Sequence, residues 1–206
     1  MTLTRSVGIG LLILGTLTAA AGAAVGFAQP DRPSPLRGMI FEPPRQAPDL
    51  PLIDQEGRPF SLSRHRGKFL LLFFGYIFCP DVCPTTLVVL ANARERLGAA
   101  AKDVQVIFIS VDPERDTPKV IKRYVAYFDT TFIGLSGDPE AVASVARAYG
   151  VRYGKRPSST PDRYSVDHTA LTYLIDRSGR LVAAYPFETS VDDLVADLKF
   201  LTGGKR

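Results

Sequence analysis

Phe69-Leu70-Leu71-Leu72-Phe73-Phe74-Gly75 runs into Tyr76-Ile77-Phe78-Cys79-Pro80-Asp81-Val82-Cys83-Pro84. The first seven residues are an apolar run, which predicts a strand buried on both faces. Beyond it, Pro84 to Leu97 carries Leu87, Leu90 and Leu97 at helical spacing. Cys79 and Cys83, the only two cysteines, therefore fall at a strand-to-helix junction, where open α/β sheets keep their sites. Pro84 lacks an N–H and disfavours helical geometry at Cys83. The helix is thus expected to start near Pro84, with residues 79–83 as a turn over its N-terminus. Both sulfurs then lie near the positive end of the helix dipole, which favours thiolate over thiol. Three intervening residues bring two sulfurs round to one face. That suits a chelate or a disulfide, and the spacing alone does not choose.

Outward from this junction the elements alternate. Val104 to Val111 predicts a second strand, ending in Asp112-Pro113-Glu114-Arg115-Asp116-Thr117-Pro118. A helix follows from Pro118 to about Phe128, with Asp116 or Thr117 as its cap. Phe132 to Leu135 reads as a short strand. Pro139 to Tyr149 reads as a helix with Ser136 or Asp138 as cap and Gly150 ending it. Val151 to Asp167 is polar and reads as a loop or hairpin excursion. Thr169–Asp176 and Leu181–Tyr185 then form a hairpin across Arg177-Ser178-Gly179-Arg180, and Ser190 to Leu201 closes the chain as a helix capped by Ser190. On the other side, Asp49 to Leu62 reads as an N-terminal β-hairpin turning at Glu56-Gly57. This order gives an α/β, thioredoxin-like sandwich: a mixed central sheet flanked by helices.

The first 28 residues read differently. Val7 to Phe27 is 21 residues without a charge, preceded by Arg5. As a helix it spans about 31 Å, enough to cross the hydrocarbon core. Arg5 predicts the N-terminus inside and residues 29–206 on the periplasmic or extracytoplasmic side of the inner membrane. The rival reading is a cleaved signal peptide, with Ala21-Gly22-Ala23 as its small-residue site. In either case the globular part is exported, where a disulfide can persist. The proline-rich stretch from residue 29 to 48 reads as an extended tether, and residues 49–206 as the folded domain. The 25 basic and 21 acidic residues, net +4, are interspersed without a basic block, which argues against nucleic acid as a partner.

Two thiols and a rare imidazole carry the chemistry. Of the two histidines, His168 lies directly before the strand starting at Thr169. Cys79, Cys83 and an imidazole make a soft three-donor set. Thiolate favours Cu(I), a histidine also accommodates Cu(II), and a structural zinc site normally takes four ligands. A structural disulfide and a redox dithiol compete with the metal reading, and a histidine before a strand is more often a hydrogen-bonded residue than a ligand. His65, in the basic turn 64–68, reads as solvated rather than as an accessory ligand. Asp112 and Asp116 read as a turn former and a helix cap, with an acidic patch near the metal as the alternative. Tyr164 lies over the site only if the 151–167 segment folds back.

Three linked motifs resolve part of this ambiguity. Gly75 to Pro84, Ser110 to Pro118, and Val166-Asp167-His168-Thr169 together resemble the signature of the Sco (SenC/PrrC) family over residues 40–203. The resemblance implies a membrane-tethered, thioredoxin-like copper protein that helps assemble the binuclear copper centre of cytochrome c oxidase. It implies Cys79, Cys83 and His168 as copper ligands, with a copper donor protein and the copper-site subunit of the oxidase as partners. Thioredoxin-type oxidoreductases place a cis-proline where this chain has Asp167-His168-Thr169, and they use a C-x-x-C spacing that this chain departs from. Two functions stay open here: copper metallochaperone, or a thiol–disulfide oxidoreductase that reduces the oxidase subunit's copper-site cysteines through Cys79 and Cys83.

Overall fold

A computed structural model describes residues 36–157 and 164–203. The expected membrane segment, Val7 to Phe27, lies outside the described residues. Among those described, no helix is long and apolar enough to cross a membrane.

The centre is β3 (Phe69–Gly75), whose seven residues are all buried. Each of its large apolar side chains gains about 1.5–3 kcal/mol from burial. β3 pairs in parallel with β4 (Val104–Ser110), from Phe69 opposite Val104 to Gly75 opposite Ser110. On its other side it pairs antiparallel with β8 (Leu171–Ile175), Phe73 opposite Thr172. β5 (Ile133–Ser136) extends the parallel part, and β9 (Arg180–Pro186) pairs antiparallel with β8. With β1 (Met39–Gln46) and β2 (Ile53–Asp54) at the edges, the order is β1-β9-β8-β3-β4-β5-β2. α1 (Val82–Leu97) connects β3 to β4 and packs against both α4 (Val191–Leu201) and α2 (Pro118–Phe128). α2 presses on β5 so closely that a Cβ at Gly134 would stand 2.0 Å from Ile121 Cγ2. α3 (Pro139–Ala148) buries Val142, Val145 and Ala146, and Gly150 follows it at φ +72. The mixed sheet flanked by helices is the thioredoxin-like arrangement that the order of elements predicts.

Three local expectations are corrected and two are narrowed. Met39–Gln46, within the stretch read as a tether, is an edge strand on β9. Pro43 and Pro44 are tolerated there because an edge strand bonds on one side only. The N-terminal hairpin shrinks to β2, which pairs with β5 and meets its own return arm only at an Ile53–Pro59 bridge. Its turn is where expected: Gly57 has φ +75 and the Asp54 carboxylate accepts from the N–H groups of Glu56 and Arg58. α1 begins at Val82 and not at Pro84, so Cys83 belongs to the first helical turn. Proline still fits there, because the opening N–H groups of a helix have no intrahelical partner. The 151–167 excursion is a hairpin of β6 (Tyr153–Pro157) and β7 (Tyr164–His168), hydrogen-bonded as its own two-stranded sheet. Thr117, without a side-chain hydrogen bond, occupies the cap position of α2, while Asp116 turns inward. Asp138 and Ser190 cap α3 and α4 through their side chains as expected.

Candidate metal centre

Sheet register brings three segments to one edge. β3 and β4 end side by side, and β8, running the other way, begins there. The cysteine loop after β3, the 111–117 loop after β4 and the β7–β8 turn therefore meet. One donor atom each from Cys79, Cys83 and His168 lies within 4.8 Å of the others. Both cysteines are free thiols in this structure.

The two sulfurs stand in different surroundings. Cys83 is fully buried, and glycine at 75 makes room for it: a Cβ there would lie 2.9 Å from Cys83 Sγ. Cys79 is half-buried, one turn short of α1. Its sulfur accepts the Cys83 backbone N–H at 3.4 Å, which puts the helix N-terminus to work on Cys79 as the dipole argument predicts. Hydrogen bonding from the Cys83 thiol holds Cys79 far below the ordinary cysteine range, and His168 adds to this against the opposing effect of burial. The same bond pushes Cys83 far up, and burial raises it further. Cys79 is the thiolate at neutral pH, and Cys83 keeps the proton they share.

His168 is fixed from several sides. Its Nε2 lies 3.3 Å from Cys83 Sγ, while Nδ1 lies 3.3 Å from the Thr169 carbonyl oxygen. Nδ1 faces the carbonyl, so Nε2 is the ring nitrogen turned towards the sulfurs. The rings of Phe73 and Tyr76 meet the imidazole edge-on, each with its centroid 6.0 Å away. Two sulfurs and an imidazole nitrogen are a soft donor set that fits copper, and a set of three leaves room for a further ligand. The surface opening beside them is lined by Tyr76, Cys79, Pro80, Asp81, Val166 and His168. An incoming donor can approach from solvent on the Cys79 side.

The acidic residues do not join the donor cluster. Asp116 is fully buried and accepts from the Ile77 N–H (3.1 Å) and the Ser110 hydroxyl (2.7 Å), so it holds the cysteine loop and does not cap α2. Burial raises its carboxyl to about 6, with Ser110 and the Ile77 N–H opposing. Asp112 does order its turn, its carbonyl accepting from the N–H groups of Arg115 and Asp116, and its carboxylate also binds Arg115 Nε and the Tyr164 hydroxyl. The 151–167 segment thus folds back, but the Tyr164 hydroxyl ends on Asp112. His65 stacks half-buried on Phe60 with centroids 5.0 Å apart and is outside the donor cluster. Sequence reasoning passed over Tyr76, Gly75 and Arg115. Of these, Gly75 carried a signal, a glycine ending an otherwise bulky strand where a backbone or sulfur must approach closely.

Residues 42–203 match the SCO1/SenC family. An SCO2-like protein of Rickettsia prowazekii is 38% identical over 145 residues, which cover 70% of this chain and 71% of the relative. The copper-bound structure of Bradyrhizobium japonicum ScoI is 44% identical, with a TM-score of 0.69 over 76% of this chain and 99% of that one. BsSco, described with a disulfide switch and as a member of the Sco family of cytochrome c oxidase assembly proteins, is 26% identical. Its TM-score is 0.60 over 79% of this chain and 96% of its own. Cysteine junction, 110–118 loop and histidine hairpin all lie inside the matched span. The chain belongs to the SCO1/SenC family.

Proposed function

We propose that this protein is a copper metallochaperone for cytochrome c oxidase, binding copper as cargo through Cys79, Cys83 and His168. The observation that carries this reading is the soft three-donor cluster, with its atoms within 4.8 Å of one another, at the C-terminal edge of a parallel strand pair. Cys79 supplies a thiolate at neutral pH, the Cys83 thiol gives up its proton as it takes the metal, and His168 offers Nε2. Because the protein supplies three donors, an acceptor thiolate can enter before a donor leaves. This lets the metal pass by ligand exchange without being released to water.

The partners in this reading are a copper donor protein and the copper-site subunit of the oxidase. The uncharged stretch Val7 to Phe27, following Arg5, would anchor the chain as a single pass in the inner membrane, with residues 29–206 on the periplasmic side. The site's unequal thiols also suit disulfide exchange, with Cys79 attacking and Cys83 resolving. That second reading converges on the first at one point: only the reduced pair can hold copper.

The test is direct transfer. Full-length protein carrying one copper is mixed, at two or more equivalents, with the reduced, metal-free copper-site domain of an oxidase subunit. The binuclear-site absorption should grow on the acceptor as copper leaves the donor, and a His168→Ala protein should deliver little. If copper stays on the donor, while in a parallel mixture the reduced, metal-free protein reduces the disulfide of the oxidised acceptor domain, the chaperone reading gives way to the oxidoreductase one.

A further inference from the structure

His168 stands at one end of β7, in a hairpin that is not hydrogen-bonded into the seven-stranded sheet. A two-stranded hairpin is marginal by itself, so whatever seats it decides where the imidazole stands. At the His168 end, the Thr169 N–H donates to the Arg152 carbonyl at 2.9 Å and the Arg152 N–H to Thr169 Oγ1 at 3.0 Å. Val166 is buried under the middle. At the far end, where Tyr164 faces Pro157, the attachment runs through the loop that follows β4. The Tyr164 hydroxyl donates to Asp112 Oδ1 at 2.7 Å, and Arg115 Nη1 donates to the Tyr164 carbonyl at 3.0 Å. The Arg115 guanidinium lies 3.6 Å from the Tyr164 ring centroid and 4.9 Å from that of Phe78, next to Cys79. Lys155 on the facing strand pairs with Glu114 of the same loop at 2.6 Å. The loop also holds the cysteine side, through Asp116 and the Ile77 N–H. It therefore brackets both halves of the donor cluster.

We propose that Tyr164, clamped by Asp112 and Arg115, is a positioning residue that docks the β6–β7 hairpin and so presents His168 to the two sulfurs before copper arrives. The proposal rests on the copper reading above. Its physical content is a population: copper meets three donors only in the docked hairpin, so apparent affinity falls with the docked fraction. Without the clamp, the imidazole end keeps its two bonds to Arg152 but the other end of the hairpin is loosened from the bracket.

Tyr164→Phe removes one hydroxyl and keeps the ring that Arg115 covers, so the fold is spared. Two readouts separate positioning from general destabilisation. In the reduced, metal-free full-length protein, amide hydrogen exchange across Val166 to His168 should quicken several-fold while β3 stays protected. With copper, Tyr164→Phe should weaken Cu(II) binding about tenfold, in the range of outer-shell substitutions, and shift the thiolate-to-copper absorption. His168→Ala should lose at least a hundredfold, and adding Tyr164→Phe to it should cost nothing further, since both act through one imidazole. Wild-type copper binding by Tyr164→Phe, alongside loss in His168→Ala, overturns the positioning role and leaves the copper reading standing. The role is also overturned if Tyr164→Phe weakens binding equally without His168. Wild-type binding by His168→Ala would instead overturn the copper reading.

Discussion

Cys79 and Cys83 are four residues apart and chemically unlike. One is half-exposed and receives a helix N–H and the neighbouring thiol, while the other is buried and donates that thiol. A sequence reader sees two cysteines near a helix start and expects a lowered thiol. Which of the two is lowered is set by the bond between the thiols and the burial of Cys83, which lies in the first turn of α1 because that helix starts at Val82, two residues earlier than Pro84 suggests. The pre-proline bias against helix at Cys83 loses to burial of that side chain and to the Thr86 hydroxyl donating to the Val82 carbonyl at 2.8 Å. The expected consequence is selective alkylation. In the reduced, metal-free protein at pH 6, iodoacetamide should modify Cys79 at least about tenfold faster than Cys83. The Cys79 rate should stay nearly flat from pH 5.5 to 7.5, where an ordinary thiol of pKa about 8.5 would speed up about tenfold per unit. Peptide mass spectrometry reads both rates, and equal labelling of the two would contradict the assignment.

The elements show why some of the site was legible and some not. β3 and β4 are readable because strands buried on both faces are written as unbroken apolar runs. β1 carries two prolines and a mostly exposed pattern, and only its pairing with β9 makes it a strand. The β6–β7 hairpin is polar and short, so its sequence carries no clear strand alternation. Asp116 shows a further limit. Its spacing before Pro118 looks like a cap, whereas its true partner, the Ile77 N–H, comes from another element 39 residues away. Burying that carboxyl links the loop to pH. Its pKa rises from 3.8 to about 6, so the folded state holds the proton more tightly than the unfolded chain does. The contribution to stability is full below about pH 3.8 and is lost as pH rises through 6. Asp116→Asn cannot titrate. Between pH 4 and pH 7 its stability relative to wild type should therefore improve by about 2–3 kcal/mol, measured by urea unfolding of the metal-free protein. Parallel pH curves for the two proteins would show that the carboxylate is not strained by burial.

At the scale of the whole molecule, the sheet is a device for bringing distant segments to one edge. The register that sets Gly75 beside Ser110 and Phe73 beside Thr172 is fixed by apolar packing, and the donors arrive as its consequence. The identities of Cys79, Cys83 and His168 could be read from the chain. Their convergence could not be read from spacing, because 85 residues separate Cys83 from His168 and only the topology closes that distance. The measurement that bears most directly on this account is a copper titration of the reduced full-length protein, followed by the thiolate-to-copper absorption of the Cu(II) form. The account predicts one tightly held copper per chain, no such band after Cys79→Ser or Cys83→Ser, and affinity at least about a hundredfold weaker after His168→Ala. A reduced wild-type protein that binds no stoichiometric copper, or one whose binding survives all three substitutions, would contradict it.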